Sequence, residues 1–380
     1  MNKPDAATLQ TKQKLLDKIA AYPLEFSQTD FELLVNPELQ LTFNDLRELL
    51  LRIFDLNETS LRQESNSTTG AIGLLNKLST YFRHRQYYRL IRKGFRDLSC
   101  PERKIIVAEG DSWFQFPIII KDIVDWLRTD PNFAVYSLAY GGDWFTNILY
   151  DEKYIEELSI HRPDVFLISG GGNDLLSANR LAIMVDAEAK GPMRSPYEID
   201  RLLAQEPETD KTDIRVGYRY LTKDFYSFIW LLKAQYYKLF QGLCSSGKFY
   251  KMQIITQGYD YALPTYKYRW ERWYQLQPLL NWFINSGQWL KRPLMIKGIR
   301  NEKISRQIIK ALIFEVNVLF IELAQQFKQV YHVDCRGTAP TFHNWFDELH
   351  LPSEKYRQIA RAYKQCIENP PEGKVTKVVS

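Results

Sequence analysis

Short apolar runs alternate with longer helical patterns from Lys104 onward. Each run is short and rich in β-branched or aromatic residues, which is typical of a buried strand. The runs are KIIVAE (104–109), FAVYSL (133–138), DVFLIS (164–169), MQIITQ (252–257) and VYHVD (330–334). Apolar residues at helical spacing separate them, at roughly 118–128, 144–159, 218–242, 302–327 and 353–367. The pattern predicts an α/β fold in three layers, α/β/α, around a five-stranded, mostly parallel sheet.

The first 98 residues follow a helical pattern without strands. A helix is predicted from Phe43 to Phe54, with Leu46, Leu49, Leu50 and Ile53 on one face. A polar linker over 57–70 and a second helix over about 71–98 follow it. We therefore expect a helical N-terminal segment (1–98), an α/β domain (99–370) and a C-terminal tail (371–380). Insertions near 175–215 and 259–300 follow strands and should lie over one edge of the sheet.

Composition and charge restrict the possible classes only modestly. Of the 380 residues, 45% are hydrophobic, so the chain can bury a large core. The net charge of +5, from 50 basic and 45 acidic residues, does not by itself indicate nucleic-acid binding. Four dispersed cysteines lack the spacing of a zinc site and are interpreted as reduced thiols. No secretory signal or membrane-spanning stretch is recognised, so the protein is expected in the cytoplasm.

Glycine-rich polar loops follow the first three predicted strands. Ser112 lies in Gly110–Trp113, directly after the first strand, where a helix N-terminus would favour a developing anion. The second loop is Tyr140–Asp143 and the third is Gly170–Asp174, which brings Asn173 to the same crevice. Glycine lets the backbone approach a substrate and leaves its N–H as a donor. Taken alone, each loop is better explained as an ordinary turn, a capping serine or the start of a helix.

A fourth polar loop precedes the last predicted helix. Asp347 stands three residues before His350 in the run DELHLP, so its carboxylate can orient the imidazole and stabilise its protonated form. The chain has only five histidines, and the nearby rival His343 lacks an aspartate three residues earlier. The four loops occur in one order and face one crevice. Together they indicate a serine nucleophile with a histidine base.

The blocks GDSW, GGDW, GGND and DELH resemble the four signature blocks of the SGNH hydrolase superfamily, also called GDSL esterases and lipases. The resemblance covers about residues 104–367 and implies a flavodoxin-like α/β/α fold. It implies Ser112 as the nucleophile, with Asp347 and His350 completing a catalytic triad. It also implies three oxyanion-hole donors: the N–H of Ser112, Gly142 and Asn173.

Two further segments and one departure accompany these blocks. GYDY (258–261) and VDCRGT (333–338) are similar to segments of bacterial members of the superfamily. Trp113 stands where the family often has leucine, which bears on the shape of the pocket. No cofactor and no metal are implied.

Two aromatic stretches suggest contacts beyond the catalytic loops. A run of cations between 83 and 96 predicts either a basic amphipathic helix that binds anionic lipid headgroups or nucleic acid, or the solvated face of a helix packed on the α/β domain. Its members are Arg83, Arg85, Arg89, Arg92, Lys93 and Arg96. The segment 266–292 is interpreted either as a lid over an acyl chain or as a packed cap. It contains Trp270, Trp273, Trp282 and Trp289.

These observations together predict an ester hydrolase that forms an acyl-enzyme on Ser112. The favoured substrate is a lipid or another acyl ester, an anionic membrane surface is a candidate partner that would give the protein a peripheral membrane location, and nucleic acid is not expected as a partner. One alternative is removal of O-acetyl groups from a carbohydrate, since the same triad serves both reactions. Another is a catalytically idle fold that binds a membrane or a partner.

Overall fold

A computed structural model of the protein describes residues 6–22, 29–30, 33, 39, 45, 71–96, 100–116, 120–176, 180–265 and 289–379. The helix predicted over 43–54 lies outside the described residues, apart from residue 45. The predicted linker over 57–70 also lies outside them, as do Trp270, Trp273 and Trp282.

Strands and helices alternate as the sequence predicts. The strands are β1 (Lys104–Glu109), β2 (Phe133–Ser137), β3 (Val165–Ile168), β4 (Gln253–Gln257), β5 (Val330–Asp334) and β6 (Val375–Lys377). The helices are α1 (Ala6–Ala21), α2 (Ala71–Arg92), α3 (Ile123–Leu127), α4 (Phe145–Asp151), α5 (Lys153–His161), α6 (Gly172–Leu176), α7 (Leu181–Met184), α8 (Pro196–Leu203), α9 (Glu208–Tyr218), α10 (Lys223–Ser245), α11 (Lys291–Ile296), α12 (Glu302–Gln326) and α13 (Ser353–Glu368). The helix predicted over 144–159 is divided at Glu152, whose backbone is left-handed with φ 50°.

The strands form one parallel sheet in the order β2-β1-β3-β4-β5-β6. The central strands are buried on both faces, which explains why they are continuous apolar runs rather than alternating ones. The α/β class and the five predicted strands are confirmed. The sheet has six strands rather than the predicted five, because β6, within the segment predicted as a C-terminal tail, pairs beside β5. Only three residues of this edge strand pair, too few to stand out in the sequence.

Helices cover both faces of the sheet, and neighbouring side chains of β5 show which helix covers which face. His332 stacks on Phe320 of α12, with ring centroids 5.5 Å apart. Tyr331 points the other way, toward the face on which α13 packs, where burial and the nearby Cys366 raise its pKa. Helices α10 and α12 therefore form one layer, and α3 and α13 form the opposite layer.

This arrangement gives the last crossover an unusual hand. The connections β3–α10–β4, β4–α12–β5 and β5–α13–β6 advance across the sheet in one direction, but α13 lies on the opposite face. The connection β1–α3–β2 runs in the other direction on the face of α13, so it shares the hand of the first two. Because right-handed crossovers are strongly preferred, the connection through α13 is the left-handed one.

Helix α2 packs along β2, the strand at one edge of the sheet. The His84 ring hydrogen-bonds the Ser137 carbonyl at 2.8 Å, and Tyr87 packs edge-to-face on Tyr136. The sequence placed this helix in the segment 1–98. In the structure it covers the exposed side of an edge strand, which protects that strand from pairing with another chain.

Candidate active site

Ser112, His350 and Asp347 form a continuous chain of hydrogen bonds. His350 Nε2 lies 2.7 Å from Ser112 Oγ. On the other side of the ring, Nδ1 lies 2.8 Å from Asp347 Oδ2 and 2.9 Å from Oδ1. Asp347 is 1% exposed and His350 is 7% exposed, while Ser112 is half-buried. The spacing matches that of a nucleophile, a general base and an acid that orients the base.

The loop that carries the histidine is braced by its own backbone. Asp347 Oδ1 accepts the N–H groups of Leu349 and His350 at 2.7 Å, and Phe346 N–H donates to the His350 carbonyl. The indole N–H of Trp113 donates to the Leu349 carbonyl at 3.0 Å. Trp113 therefore ties the turn that carries Ser112 to the loop that carries His350.

A second brace runs beneath the nucleophile through Asp111 and Tyr259. Asp111 is fully buried and accepts the Trp113 N–H, the Ser169 hydroxyl and the Tyr259 hydroxyl, the last at 2.5 Å. Burial raises the pKa of Asp111 and these donors lower it. The Tyr259 oxygen in turn accepts the Gly172 N–H at 3.1 Å. A Cβ on Gly172 would lie 2.9 Å from the tyrosine ring, so this contact requires glycine.

Asp111 and Tyr259 both lie within motifs of the sequence, but those motifs predict no role for either residue. The signal was present, since each is a polar residue at the carboxyl end of a strand. It could not be used, because the hydrogen bond between them joins positions 148 residues apart. The same applies to Asp260, which accepts the N–H groups of Gly337 and Ala339 at 2.6 Å and thereby fixes the VDCRGT loop.

Donors for an oxyanion surround the serine. The backbone N–H groups of Ser112 and Gly142 donate to none of the residues that the structure describes. Gly142 has φ 90°, a conformation that glycine adopts without strain. Asn173 Nδ2 donates to the Asp143 carbonyl at 2.8 Å, which places the amide beside the Gly142 turn. An amide nitrogen carries two hydrogens, so one remains for a substrate.

Two buried acids lie behind this turn. Burial raises the pKa of Glu109, at the end of β1, to about 8, with a further contribution from the nearby Asp143. Burial likewise raises the pKa of Asp143 to about 7. Asp174 completes the group by accepting the Phe145 and Thr146 N–H groups, so it caps the start of α4.

An apolar pocket opens beside Ser112. One wall is a face of α12, which begins at the capping residue Asn301. The apolar lining comprises Leu175, Leu176, Ala262, Leu290, Ile309, Leu312, Ile313, Val316, Trp345 and Leu349. Asn173 also lines the pocket, whereas Gly142 does not.

The basic run on α2 lies away from this pocket. Arg83 is fully buried, pairs with Asp122 at 2.5 Å and donates to the Phe114 carbonyl. The predicted membrane contact of Arg83 was wrong, because the side chain is an internal cation between α2 and α3. Arg96 donates to the carbonyls of His161 and Arg162. The remaining members, Arg85, Arg89, Arg92 and Lys93, are exposed on the helix.

The direction of α2 separates these cations from the serine. Asn76, near the start of the helix, hydrogen-bonds the Gly141 carbonyl of the oxyanion turn. Arg96, which follows the end of the helix, contacts Arg162 just before β3. This contact lies at the amino ends of the strands, whereas Ser112 lies at their carboxyl ends. At 1.5 Å per residue, the end of the helix is displaced roughly 24 Å from Asn76.

Two properties of the described helices and side chains bear on binding. None of the described helices is both long and apolar enough to cross a membrane. Within the described ranges, no group of three or more His, Cys, Asp or Glu side chains is arranged to hold a metal ion.

The chain matches no protein-family model and no curated protein sequence. Among solved structures it is similar to a Clostridium thermocellum family 3 carbohydrate esterase, with 13% sequence identity and a TM-score of 0.33. The similarity covers 69% of this chain and 94% of that chain. A likeness of this size carries no argument about activity, so the function must be inferred from the geometry of the site.

Proposed function

We propose that this protein is a serine carboxylester hydrolase of the SGNH type that acts on esters with an apolar acyl group. The observation that carries the proposal is the hydrogen-bonded chain from Ser112 through His350 to Asp347 at the mouth of an apolar pocket. Such a chain raises the nucleophilicity of a serine, which is otherwise weak. The two loops that supply it follow different strands, β1 and β5.

In the proposed reaction His350 Nε2 takes the proton of Ser112 as its oxygen attacks the ester carbonyl carbon. The resulting oxyanion would accept hydrogen bonds from the N–H groups of Ser112 and Gly142 and from the Asn173 amide. Each such donor is worth roughly 10²–10³ in rate. His350 then protonates the leaving alcohol, and a water that it activates hydrolyses the acyl-enzyme. Asp347 holds the ring and stabilises its protonated form.

The pocket lining supports an extended acyl chain over an acetyl group. Each buried CH₂ contributes about 0.8 kcal/mol, so every added methylene that fits should raise kcat/KM by up to about fourfold. A carbohydrate deacetylase would need room only for a methyl group beside the oxyanion donors. The aliphatic face of α12 would have no part in that reaction.

Hydrolysis of p-nitrophenyl esters from acetate to dodecanoate tests the proposal. We expect kcat/KM to rise with chain length and then fall, and Ser112→Ala to lose activity by a factor of order 10⁶. A matched control is Ser159→Ala, because that half-buried hydroxyl only donates to Ile155 within α5. His343→Ala controls for the rival histidine.

Two outcomes would contradict the proposal. Undiminished hydrolysis by folded Ser112→Ala would show that Ser112 is not the nucleophile. Inactivity of the wild type toward every ester would favour a catalytically idle binding fold. A strict preference for acetate would instead support the deacetylase alternative.

A further inference from the structure

In the DELH loop, Glu348 lies between the triad acid Asp347 and Leu349, which lines the pocket. Its carboxylate is fully buried and accepts three consecutive backbone N–H groups, those of residues 289–291. Oε2 accepts from Trp289 at 3.0 Å and Leu290 at 2.9 Å, and Oε1 accepts from Lys291 at 2.8 Å. These are the unpaired donors at the start of α11, which an anion satisfies well.

The segment held by Glu348 forms part of the pocket. Leu290 is 1% exposed and lines the cavity, on which Leu349 of the histidine loop also borders. The Trp289 ring approaches His350 edge-to-face, with centroids 6.3 Å apart. The carboxylate therefore fixes a piece of the aromatic insertion against the loop that carries the catalytic base.

The triad itself is held by other contacts. His350 is bound by Asp347, and its loop is closed by the Phe346 N–H and the Trp113 indole. The Phe116 ring packs on the imidazole at 4.7 Å. None of these contacts involves Glu348, so its effect on the wall can be separated from an effect on the base.

We propose that Glu348 determines acyl-chain specificity by positioning Leu290 in the wall of the pocket. Its role in turnover rests on the proposed function, whereas its role in binding an acyl chain does not. Glu348 is a positioning residue, because it contacts the wall rather than the reacting atoms. Its substrate effect should appear only when the acyl chain is long enough to reach Leu290.

Glu348→Gln tests this at nearly constant volume. A glutamine amide replaces one acceptor oxygen with a donor, so at least one N–H of residues 289–291 faces another donor and the segment loses its fixed position. We expect the ratio of KM for p-nitrophenyl decanoate to KM for the butyrate ester to rise about tenfold over that of wild type. A base defect would instead lower kcat for every ester. Glu354→Gln is the control, since that acid pairs with Arg357 at the surface.

Leu290→Trp tests the wall without touching the carboxylate. A larger side chain should shorten the pocket, so the preferred ester should become shorter. This variant decides the question if Glu348→Gln fails to fold, which a thermal melt would reveal. Chain-length preferences unchanged in Leu290→Trp, or equal loss of kcat for all esters in folded Glu348→Gln, would overturn the proposal.

A binding measurement separates this proposal from the reaction. In Ser112→Ala protein, calorimetric titration with decanoate should give a Kd about tenfold higher when Glu348→Gln is added, while butyrate binding stays equally weak. Weaker decanoate binding together with an inactive wild type would support the role of Glu348 in the pocket wall and would reject the proposed esterase activity. Ser112-dependent hydrolysis with identical decanoate affinities in both proteins would do the reverse.

Discussion

Single buried carboxylates around the serine differ in what stabilises them. Asp260 and Glu348 each accept three backbone N–H groups, and these donors lower the pKa values that burial raises, leaving them at about 6 and about 7. Among the described residues, Glu109 accepts only the Gly110 N–H, at 2.9 Å, and lies near another acid, Asp143. The pKa of Glu109 is therefore raised further, to about 8, and the side chain is protonated at neutral pH.

The raised pKa of Glu109 makes stability depend on pH. The unfolded chain releases this proton near the ordinary pKa of 4.5, whereas the folded protein keeps it to about 8. Between these values only the folded state binds the proton, so the free energy of unfolding falls as pH rises. Below the lower value and above the upper one, both states carry the same charge and the slope from this group vanishes.

Glu109→Gln should remove that slope while keeping an oxygen for the Gly110 N–H. We expect the variant to gain stability over wild type by roughly 1 kcal/mol per pH unit between pH 5 and 8. Urea unfolding at pH 5.5, 6.5 and 7.5 measures the gain, and Glu372→Gln at the exposed C-terminal turn serves as the control. Parallel pH profiles for Glu109→Gln and wild type would contradict this account.

Helices and loops differ in how far the sequence determines them. The strands and the catalytic loops are predictable because apolar runs end in glycine-rich polar segments, and parallel strands bring these ends to one edge. The packing of α2 on β2 was not predictable. Its arginines look alike in sequence, and only tertiary contact with Asp122 distinguishes the buried Arg83 from its exposed neighbours.

Arg83 should be essential for anchoring α2. Replacing it by methionine leaves Asp122 buried without its cation, which costs about 3–5 kcal/mol. Arg83→Met with Asp122→Asn should recover part of this loss, because the asparagine oxygen can still accept the Phe116 N–H. Arg85→Met, two residues along and exposed, should change the free energy of unfolding by less than about 0.5 kcal/mol. Urea unfolding of the three variants checks this; similar values for Arg83→Met and Arg85→Met would be inconsistent with an internal ion pair.

The loops around Ser112 lie at the carboxyl ends of the strands, whereas the exposed cations of α2 lie toward the amino ends of the strands. The sequence predicts the sheet, its layers and the residues of the triad, because each depends on a local pattern. It does not predict β6, which is three residues long, or the bond from Glu348 to residues 289–291, which spans a long insertion. Contacts of this kind depend on the assembled fold.

The exposed cations of α2 predict salt-dependent binding to anionic vesicles. They lie near exposed aromatic side chains, with Tyr81 60% and Phe82 54% exposed. Each cation near an anionic surface contributes about 1 kcal/mol, so Arg89→Gln with Lys93→Gln should weaken co-sedimentation about thirtyfold at low salt. Hydrolysis of a soluble butyrate ester should be unchanged, because the site of Ser112 lies at the opposite ends of the strands from these cations.

The matched control for this experiment removes two exposed lysines elsewhere, with Lys248→Gln and Lys251→Gln. Equal weakening by both double variants would mean that net charge, and not the face of α2, determines binding. Binding that does not fall with added salt would reject the electrostatic prediction.

Covalent capture of the nucleophile tests the central claim most directly. Ser112 Oγ should attack the phosphorus of a fluorophosphonate and displace fluoride to the solvent, while His350 takes the hydroxyl proton. One stable phosphonyl group then remains on the serine oxygen, and intact-mass spectrometry counts it and peptide mapping locates it. The account predicts a single adduct on Ser112, absent in Ser112→Ala and slowed by orders of magnitude in His350→Ala, while His343→Ala labels at the wild-type rate. Labelling of another residue, or equal labelling of folded wild type and His350→Ala, would contradict a serine activated by His350.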